Sequence, residues 1–339
     1  MKTIAFFNNK GGVGKTTLVY HIAWMMAEQG HRVLAADLDP QANLSSMFLE
    51  EERLEELWPE ESDHKSILSC ISPILEGTGD IATAHTERIL DNLHLVPGDL
   101  GLSQFEDKLS DSWPRCLDQD PAAFRAITAF YRIVYATAEN VDAEIVLIDV
   151  GPNLGAINRS ALIAADHVIM PLASDLYSLQ GLKNLGPTLK QWRRGWEQRL
   201  DQKPPSLNIP LPSGSMEPAG YIIMQHVERK SRPVKSYRKW VKRIPGTYRE
   251  YILGHAESGV PDVDDDPDCI GLIRHYQSLM PMAQEARKPV FLLKPANGAI
   301  GSHAQAVQKC YMDFKRLTET ILQRTGVPGT DSIASEKER

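Results

Sequence analysis

Short aliphatic runs alternate along the chain with longer stretches in which apolar residues recur every three or four positions. The short runs predict buried strands over 2–7, 32–36, 92–97, 144–149 and 167–170. The longer stretches predict helices over 15–29, 121–139, 157–165 and 178–199. Strands that alternate with helices in this way predict an α/β fold, a doubly wound and mostly parallel sheet with helices on both faces.

The remaining elements are predicted less directly. Five prolines between 203 and 218 indicate a loop, after which 221–224 resumes the sheet. Further runs predict a helix over 50–56, a helix over 281–288, a last strand over 290–293 and a closing helix over 302–323. We therefore expect one domain over 1–323, with an insertion at about 226–280 and a polar, flexible tail over 324–339.

A glycine-rich segment lies between the first predicted strand and the first predicted helix. Its residues are Lys10, Gly11, Gly12, Val13, Gly14, Lys15, Thr16 and Thr17. Glycines allow a backbone that turns successive N–H groups toward one anion, and a helix starting near Lys15 adds its positive dipole. Lys15 can reach terminal phosphates and the Thr16 hydroxyl can ligate magnesium, as in a P-loop. The alternative is a surface turn beside a solvated lysine, but the flanking elements favour a phosphate-binding loop.

Carboxylates follow two of the predicted strands. Asp37 and Asp39 come directly after the second strand, and Asp149 ends the run of aliphatic residues over 144–149. In a parallel sheet the chemistry gathers at the carboxyl ends of the strands, so these acids are suited to magnesium and water. The alternative for Asp37 and Asp39 is a turn or the first residue of a helix.

Composition narrows the class of protein. The net charge of −7 argues against a chain that coats nucleic acid over its whole surface, although a local basic patch remains compatible with it. Four cysteines at 70, 116, 269 and 310 form no C-x-x-C pair, which favours free thiols in a reducing cytoplasm. No apolar run approaches the roughly 20 residues of a membrane span, and 3–7 is too short for a signal peptide. These features predict a soluble cytoplasmic protein.

Positive charge is concentrated in one segment. Residues 229–249 hold nine Lys or Arg and no acid. Apolar spacing predicts a helix from near Pro233 to Pro245-Gly246, with cations projecting from its other faces at Lys235, Arg238, Lys239, Lys242 and Arg243. Such a helix could bind phosphate backbone without reading bases. The alternatives are a solvated helix docked on the sheet, or a helix neutralised by the five aspartates of 262–268.

Lys10 makes the loop more specific than a general P-loop, which requires no lysine at that position. The segment 10–17 resembles the deviant Walker A motif of the ParA/MinD family of ATPases, and Asp37 to Gln41 and Asp149 resemble its other motifs. The resemblance extends over about 1–225 and 281–323. It implies a P-loop NTPase that uses ATP and Mg²⁺, in which Lys10 reaches the phosphates bound by the partner subunit of a homodimer.

The resemblance also implies roles for single residues. Lys10, Lys15 and Asp39 would be catalytic, with Asp39 positioning the attacking water, while Thr16, Asp37 and Asp149 would support magnesium. Gly151 departs from the family, which has a proline there, and this departure suggests a looser loop.

The function implied is a partition or positioning ATPase. Its ATP-bound dimer would bind nonspecific DNA, and hydrolysis, slow until a partner protein stimulates it, would release the DNA. One alternative is a nucleotide-switched scaffold that does not bind DNA. Another is the iron–sulfur reductase branch, which needs paired cysteines that this chain lacks. The tail over 325–339 lacks the membrane-targeting pattern of the MinD branch, so no membrane partner is expected.

Overall fold

An eight-stranded sheet forms the centre of the computed structural model, which describes residues 1–59, 65–226, 239–255, 259, 261–276 and 278–329. The strands are β1 Lys2–Phe6, β2 Val33–Leu38, β3 Glu87–Leu90, β4 Leu93–Val96, β5 Ile145–Val150, β6 His167–Ala173, β7 Glu217–His226 and β8 Cys269–Arg274. Their order is β3-β4-β2-β5-β1-β6-β7-β8, and all neighbouring pairs are parallel except β3 with β4. The predicted fold class is confirmed.

Helices cover both faces of this sheet. They are α1 Lys15–Glu28, α2 Asn43–Phe48, α3 Glu51–Leu57, α4 Ile67–Glu76, α5 Phe105–Arg115, α6 Pro121–Ile127, α7 Ala129–Asn140, α8 Ala156–Ile163, α9 Leu176–Asp201, α10 Ile244–Thr247, α11 Leu279–Glu285 and α12 Ser302–Thr325. The predicted helix over 121–139 is thus two helices, α6 and α7, which meet at Thr128. None of the described helices is both long enough and apolar enough to cross a membrane.

The central strands are buried on both faces, which explains their unbroken aliphatic sequence. In β5, Ile145 and Leu147 belong to the core under α1 and α12, whereas Val146 and Ile148 belong to the core under α5 to α9. Side chains alternate in direction along a strand, so each strand contributes to two cores. This double burial fixes the register that brings the strand ends, and the residues after them, to one edge.

The last strand of the sheet is not where the sequence predicted it. The run 290–293 forms a 3₁₀ turn over Val290–Leu292, and β8 lies instead at Cys269–Arg274, inside the predicted insertion. Val290 and Phe291 are buried among helices, and the Val290 N–H donates to His21 Nε2 at 3.1 Å. These residues are apolar because they pack against α1 and α12. The antiparallel strand β3 was also missed, in a stretch read as helix and turn.

In the basic segment, helical conformation is found beyond the predicted end of the helix. Residues 227–238, which include Lys235 and Arg238, lie outside the described part of the chain. Residues 239–241 are helical, and α10 passes through Pro245-Gly246 into a π-helix over Tyr248–Leu253. The predicted helix does not run unbroken to Pro245: its described part ends at Val241, Lys242 and Arg243 form a turn, and Pro245 lies in the first turn of α10, where a proline's missing N–H is not needed. The chain leaves the helical conformation at Gly254, with φ 84°.

Candidate functional site

The loop over 10–17 connects β1 to α1 at the carboxyl edge of the sheet. Gly12 and Gly14 have φ values of 73° and 89°, in the left-handed region that favours glycine. Gly14 is the N-cap of α1, which begins at Lys15. The first N–H groups of a helix have no partner within the helix, so this end of α1 is suited to bind an anion.

A cleft of about 680 Å³ opens in front of this loop. That volume is within the range of pockets that hold small ligands such as a nucleotide. The whole predicted loop lines the cleft, together with residues from four other parts of the chain: Tyr20, His21, Asp39, Gln41, Asn43, Ser46, Met47, Pro152, Met280, Ala283, Gln284, Arg287 and Lys288. The structure therefore places Lys10, Lys15, Thr16 and Asp39 around one cavity.

Lys15 and Asp149 form a buried ion pair at this site. The Lys15 ammonium contacts the Asp149 carboxylate, and both side chains are almost entirely buried. Within the described residues, Asp149 Oδ2 has no hydrogen-bond partner although it is buried. A buried carboxylate oxygen without a partner is unfavourable unless a further group binds it. The free Asp149 Oδ2 fits magnesium, held through its waters as Mg²⁺ commonly is in proteins.

Asp37 is aligned with Asp149 across the β2–β5 pair. Its Oδ2 accepts hydrogen bonds from the Ser45 N–H at 2.8 Å and the Ser45 hydroxyl at 2.7 Å. Burial, reinforced by the charge of Asp149, raises the pKa of Asp37 to about 7 despite the bonds from Ser45. A Cβ at Gly98 would lie 2.7 Å from the Asp37 carboxyl carbon, so the carboxylate fills its space completely. Its role toward magnesium stays a prediction.

Asp39 lies at the cleft, two residues farther on. Burial raises its pKa, and a 3.0 Å hydrogen bond from the Gln41 N–H and the charge of Lys15 oppose that shift. The charge of Asp149 contributes to raising the pKa of both Asp37 and Asp39. The described residues hold no group of three or more carboxylate, histidine or cysteine side chains placed to ligate a metal directly, so magnesium would be held here through its waters.

Replacing Asp37 with asparagine is expected to remove part of the pH dependence of folding stability. The folded pKa of Asp37 is about 7 and its ordinary value is 3.8, so the folded chain binds the proton more tightly. The stabilisation is therefore complete below pH ~4 and is lost as the pH rises through about 7, by up to ~4 kcal/mol. The free energy of unfolding is measured by urea unfolding without magnesium at pH 4.5 and pH 8. The difference between its values at the two pH values should be smaller for Asp37→Asn than for wild type.

The exposed aspartate Asp118 offers the matched control for this measurement. Asp118→Asn also removes one aspartate carboxylate. Its free energy of unfolding should differ between pH 4.5 and pH 8 by as much as that of wild type. Equal differences for Asp37→Asn and wild type would contradict the shifted pKa.

Lys10 lies at the rim of the cleft and contacts its own chain. Its ammonium pairs with the carboxylate of Asp175, just before α9, and lies 5.8 Å from the ring centre of Tyr177. The Lys10 N–H donates to Asn8 Oδ1 at 3.0 Å. The predicted reach of Lys10 into a partner subunit stays a prediction, since a single chain is described.

Hydrogen bonds hold the loop after β5 in place, whereas the glycine at 151 suggested that this loop would be looser. Asn158 Nδ2 donates to the Gly151 and Asn153 carbonyls at 2.8 and 2.6 Å. The Glu106 carboxylate accepts from the N–H groups of Ala156 and Ile157, the start of α8, at 2.6 and 2.9 Å. Asn158 and Glu106 were missed because an isolated polar residue in a helical stretch carries no distinguishing signal.

Gly151 itself lets this loop come close to Asp39. A Cβ at position 151 would lie 3.3 Å from Asp39 Oδ1, a tight contact. The glycine therefore brings the backbone against the predicted water-positioning carboxylate. Any larger residue at this position would require Asp39 or the loop to shift.

His21 and Arg287 also shape the cleft and were missed. His21 Nδ1 donates to the Thr17 carbonyl at 2.7 Å and Nε2 accepts from the Val290 N–H, while burial lowers its pKa to about 4. The ring is thus neutral and joins α1 to the turn at 290. Arg287 donates to the Leu49 carbonyl from the far side of the cleft.

The described part of the basic segment packs beside α9. Lys239 Nζ lies 4.8 Å and Arg243 Cζ 5.6 Å from the ring centre of Trp240. Lys242 Nζ is 3.9 Å from an Asp262 carboxylate oxygen, and both of these side chains are exposed. On α9, Lys183 Nζ lies 5.4 Å from the ring centre of Tyr251. The described part of the basic segment and α9 therefore pack on the same face of the sheet.

Comparison with known proteins places the chain in a family. A family model described as an AAA domain matches residues 1–202, more than half of the chain. The sporulation initiation inhibitor protein Soj of Bacillus subtilis is 31% identical over 189 residues, 56% of this chain and 65% of Soj. The chromosome partitioning protein ParA of Caulobacter vibrioides is 30% identical over 201 residues, 59% of this chain and 67% of ParA. A replication protein of Rhizobium rhizogenes is matched over 42% of its length, so the chain spans only part of these relatives.

Solved structures show the same architecture. A Corynebacterium diphtheriae protein superposes with a TM-score of 0.59 and 31% identity, over 66% of this chain and 83% of that one. A Borrelia burgdorferi plasmid partition protein bound to AMPPNP gives a TM-score of 0.56 and 19% identity, over 95% and 99% of the two chains, a likeness of fold alone. On the family match, the relatives and this architecture, the chain belongs to the ParA/MinD family of P-loop ATPases.

Proposed function

We propose that the chain is an ATP-dependent, dimerising ATPase of the partition or positioning type. The observation that carries this proposal is the buried Lys15–Asp149 pair behind a glycine-rich loop, at a cleft of about 680 Å³. Similarity to Soj and to ParA, a chromosome partitioning protein, supports the biological class.

Each residue of the site has a role in this proposal. The N–H groups of Gly11 to Thr17 and the Lys15 ammonium bind the phosphates of ATP, and the Thr16 hydroxyl ligates Mg²⁺. Asp149 and Asp37 support the metal through water, and Asp37 also accepts a hydrogen bond from the Asp39 N–H. Asp39 orients the water that attacks the γ-phosphate. Bound magnesium supplies the charge that stabilises the transferring phosphoryl group.

Dimerisation is supported by the rim of the cleft. Tyr177 lies beside Lys10 and is 72% accessible to solvent, and Leu176 at the start of α9 and Leu154 in the loop after β5 are exposed as well. Large apolar side chains grouped at a functional rim favour a protein interface. We propose that a second copy covers this rim when ATP is bound, and that each Lys10 then reaches the neighbour's phosphates. A partner protein would stimulate an otherwise slow hydrolysis.

Nonspecific DNA is the proposed macromolecular ligand of the ATP-bound dimer. Among described residues, Lys239 and Arg243 form no ion pair with a carboxylate, and both lie against Trp240. Cations left free in this way can bind phosphates, with an affinity that falls steeply as salt is raised. Lys235, Arg238 and Lys242 complete the proposed contact set.

A second candidate function is a nucleotide-switched scaffold or positioning protein that does not bind DNA. It is favoured by the acidic residues next to the basic segment. Arg249 pairs with Asp266 at 2.9 Å and with Asp268 at 3.5 Å, and Lys242 lies 3.9 Å from Asp262. These contacts neutralise part of the positive charge that DNA would require.

Sedimentation with ATP, with ADP and without nucleotide, repeated with plasmid DNA, separates the candidates. The partition ATPase predicts a dimer with ATP only, and retention of that dimer on DNA at low salt. A dimer that hydrolyses ATP but never sediments with DNA favours the scaffold. A chain that stays monomeric with ATP would refute both candidate functions, because each depends on a dimer that forms when ATP binds.

Neutralising the basic segment is expected to flatten the salt dependence of DNA binding. When Lys235, Arg238, Lys239, Lys242 and Arg243 are all changed to glutamine, the slope of log affinity against log salt should fall by about one unit for each phosphate that is no longer neutralised. Fluorescence anisotropy with a labelled duplex at a series of salt concentrations measures the slope.

The control uses two cations on α12, Lys315 and Arg316, which lie on the opposite face of the sheet. Lys315→Gln/Arg316→Gln should leave the slope near the wild-type value. An unchanged slope in the five-residue variant would show that DNA binds elsewhere.

A further inference from the structure

Arg287 has a backbone conformation that glycine usually adopts. It follows α11 with a φ of 45°, in the left-handed region that is unfavourable for a residue with a Cβ atom. The Arg287 N–H donates to the Gln284 carbonyl at 3.1 Å, and the Lys288 N–H donates to the Ala283 carbonyl at 3.0 Å. These are the two hydrogen bonds of a Schellman motif, in which this position is usually glycine. An arginine held here against that preference indicates a role for its side chain.

The side chain of Arg287 connects α11 to the end of α2. Its guanidinium donates to the carbonyl of Leu49, the residue that follows α2 and lies 238 positions away in the chain. Leu49 is buried, and the neighbouring Phe48 ring packs on Tyr20 of α1 with the ring centres 4.7 Å apart. Arg287 and Tyr20 both line the cleft. Arg287 therefore ties the wall of the cleft that α11 forms to the last turn of α2.

The other end of α2 leads directly to Asp39. Ala42, the N-cap of α2, also has a left-handed backbone, with a φ of 49°, and its N–H donates to the Asp39 carbonyl at 2.8 Å. Between the two ends, Ser45 donates to Asp37 from both its N–H and its hydroxyl. With six residues, α2 has fewer than two turns, so a shift at Leu49 is transmitted along the whole helix to Asp39.

We propose that Arg287 is a positioning residue for ATP hydrolysis: it holds the end of α2 and thereby fixes Asp39 relative to the phosphate-binding loop. This role rests on the ATPase proposed above, in which Asp39 orients the attacking water. A misplacement of about 1 Å at a reacting group can slow an enzyme about 100-fold. The unfavourable backbone at Arg287 is retained because glycine in its place would leave the Leu49 carbonyl without the guanidinium.

Arg287→Gly is the informative variant because it removes the guanidinium and relieves the backbone strain at the same time. Its midpoint of urea unfolding should therefore stay close to that of wild type. Hydrolysis at saturating ATP should fall roughly 10- to 100-fold while KM changes little. Hydrogen exchange of the amides of 43–49, followed without nucleotide by mass spectrometry, should become faster. A residue with a structural role alone would instead lose stability together with activity.

Two further variants serve as rescue and control. Arg287→Lys keeps a cationic donor at the same backbone position and should recover most of the hydrolysis that Arg287→Gly loses. Gln119 is an exposed residue with a φ of 59° that does not line the cleft. Gln119→Gly relieves the same kind of strain and should leave both the rate of hydrolysis and the exchange over 43–49 at their wild-type values.

Wild-type exchange over 43–49 in Arg287→Gly, or wild-type hydrolysis in that variant, overturns the role of Arg287. A wild-type chain that does not hydrolyse ATP refutes the proposed ATPase and, with it, any positioning role in hydrolysis. The two failures are distinguishable, because exchange is measured without nucleotide and reports the contact between Arg287 and Leu49 by itself.

Discussion

The Lys15→Ala chain is expected to bind ATP at least ~100-fold more weakly than wild type and to be less stable by about 3–5 kcal/mol. Both effects come from the same buried pair. Lys15 supplies the charge nearest to the phosphates, and it also neutralises Asp149, which is fully buried. Once Lys15 is removed, Asp149 is left as a buried charge without its counter-ion. The resulting loss of folding stability exceeds the net contribution of the intact pair.

A second variant separates folding from binding. Lys15→Ala combined with Asp149→Asn removes the unpaired buried charge, so most of the lost stability should return while ATP binding stays as weak as in Lys15→Ala. Urea unfolding gives the stability and titration with a fluorescent ATP analogue gives the affinity. Wild-type affinity in Lys15→Ala would remove Lys15 from the phosphate site, and equal stability of the single and double variants would contradict the buried pair.

The parts of the site that depend on backbone conformation and strand order could be predicted from the local sequence. The glycines at 12 and 14 have positive φ values, as a phosphate-binding loop requires. The strand ending at Asp149 is buried on both faces, and Asp37 is aligned with Asp149 because β2 and β5 are parallel neighbours. Each of these features follows from a short run of residues and the rules for parallel sheets.

Elements determined by distant contacts could not be predicted. The apolar run at 290–293 has the composition of a strand, but Val290 bonds to His21, 269 residues away, and packs as a turn. In β8, Cys269–Arg274, apolar residues are mixed with glycine and arginine next to an acidic loop, so periodicity gives little indication of a strand. For runs this short, the hydrophobic pattern does not distinguish pairing in a sheet from packing in a turn.

Lys10 shows the same limit within the functional site. Its position in the glycine-rich loop is visible in the sequence, whereas its counter-ion is 165 residues away and carries no motif. Sequence can therefore identify the lysine that distinguishes this loop, but its ion pair with Asp175 becomes visible only when β1, β6 and α9 are brought together by the fold.

Lys10→Ala is expected to reduce ATP hydrolysis by ~10³-fold or more while ATP binding by the single chain changes little. In the proposed dimer Lys10 stabilises the transition state from outside the site that holds the nucleotide, as an arginine finger does. Sedimentation with a nonhydrolysable analogue should show monomers, and titration should show nearly normal affinity. The exposed lysine Lys65 provides the control, since Lys65→Ala should retain full turnover.

Mixing two inactive variants tests whether Lys10 acts across the interface. Asp39→Ala should bind ATP and dimerise but fail to orient water, and it still carries Lys10. In a mixed dimer it would donate Lys10 to the intact Asp39 site of the Lys10→Ala chain, so hydrolysis should reappear when the two are combined. A mixture no more active than its components, in samples where sedimentation shows mixed dimers, would mean that Lys10 serves only its own subunit.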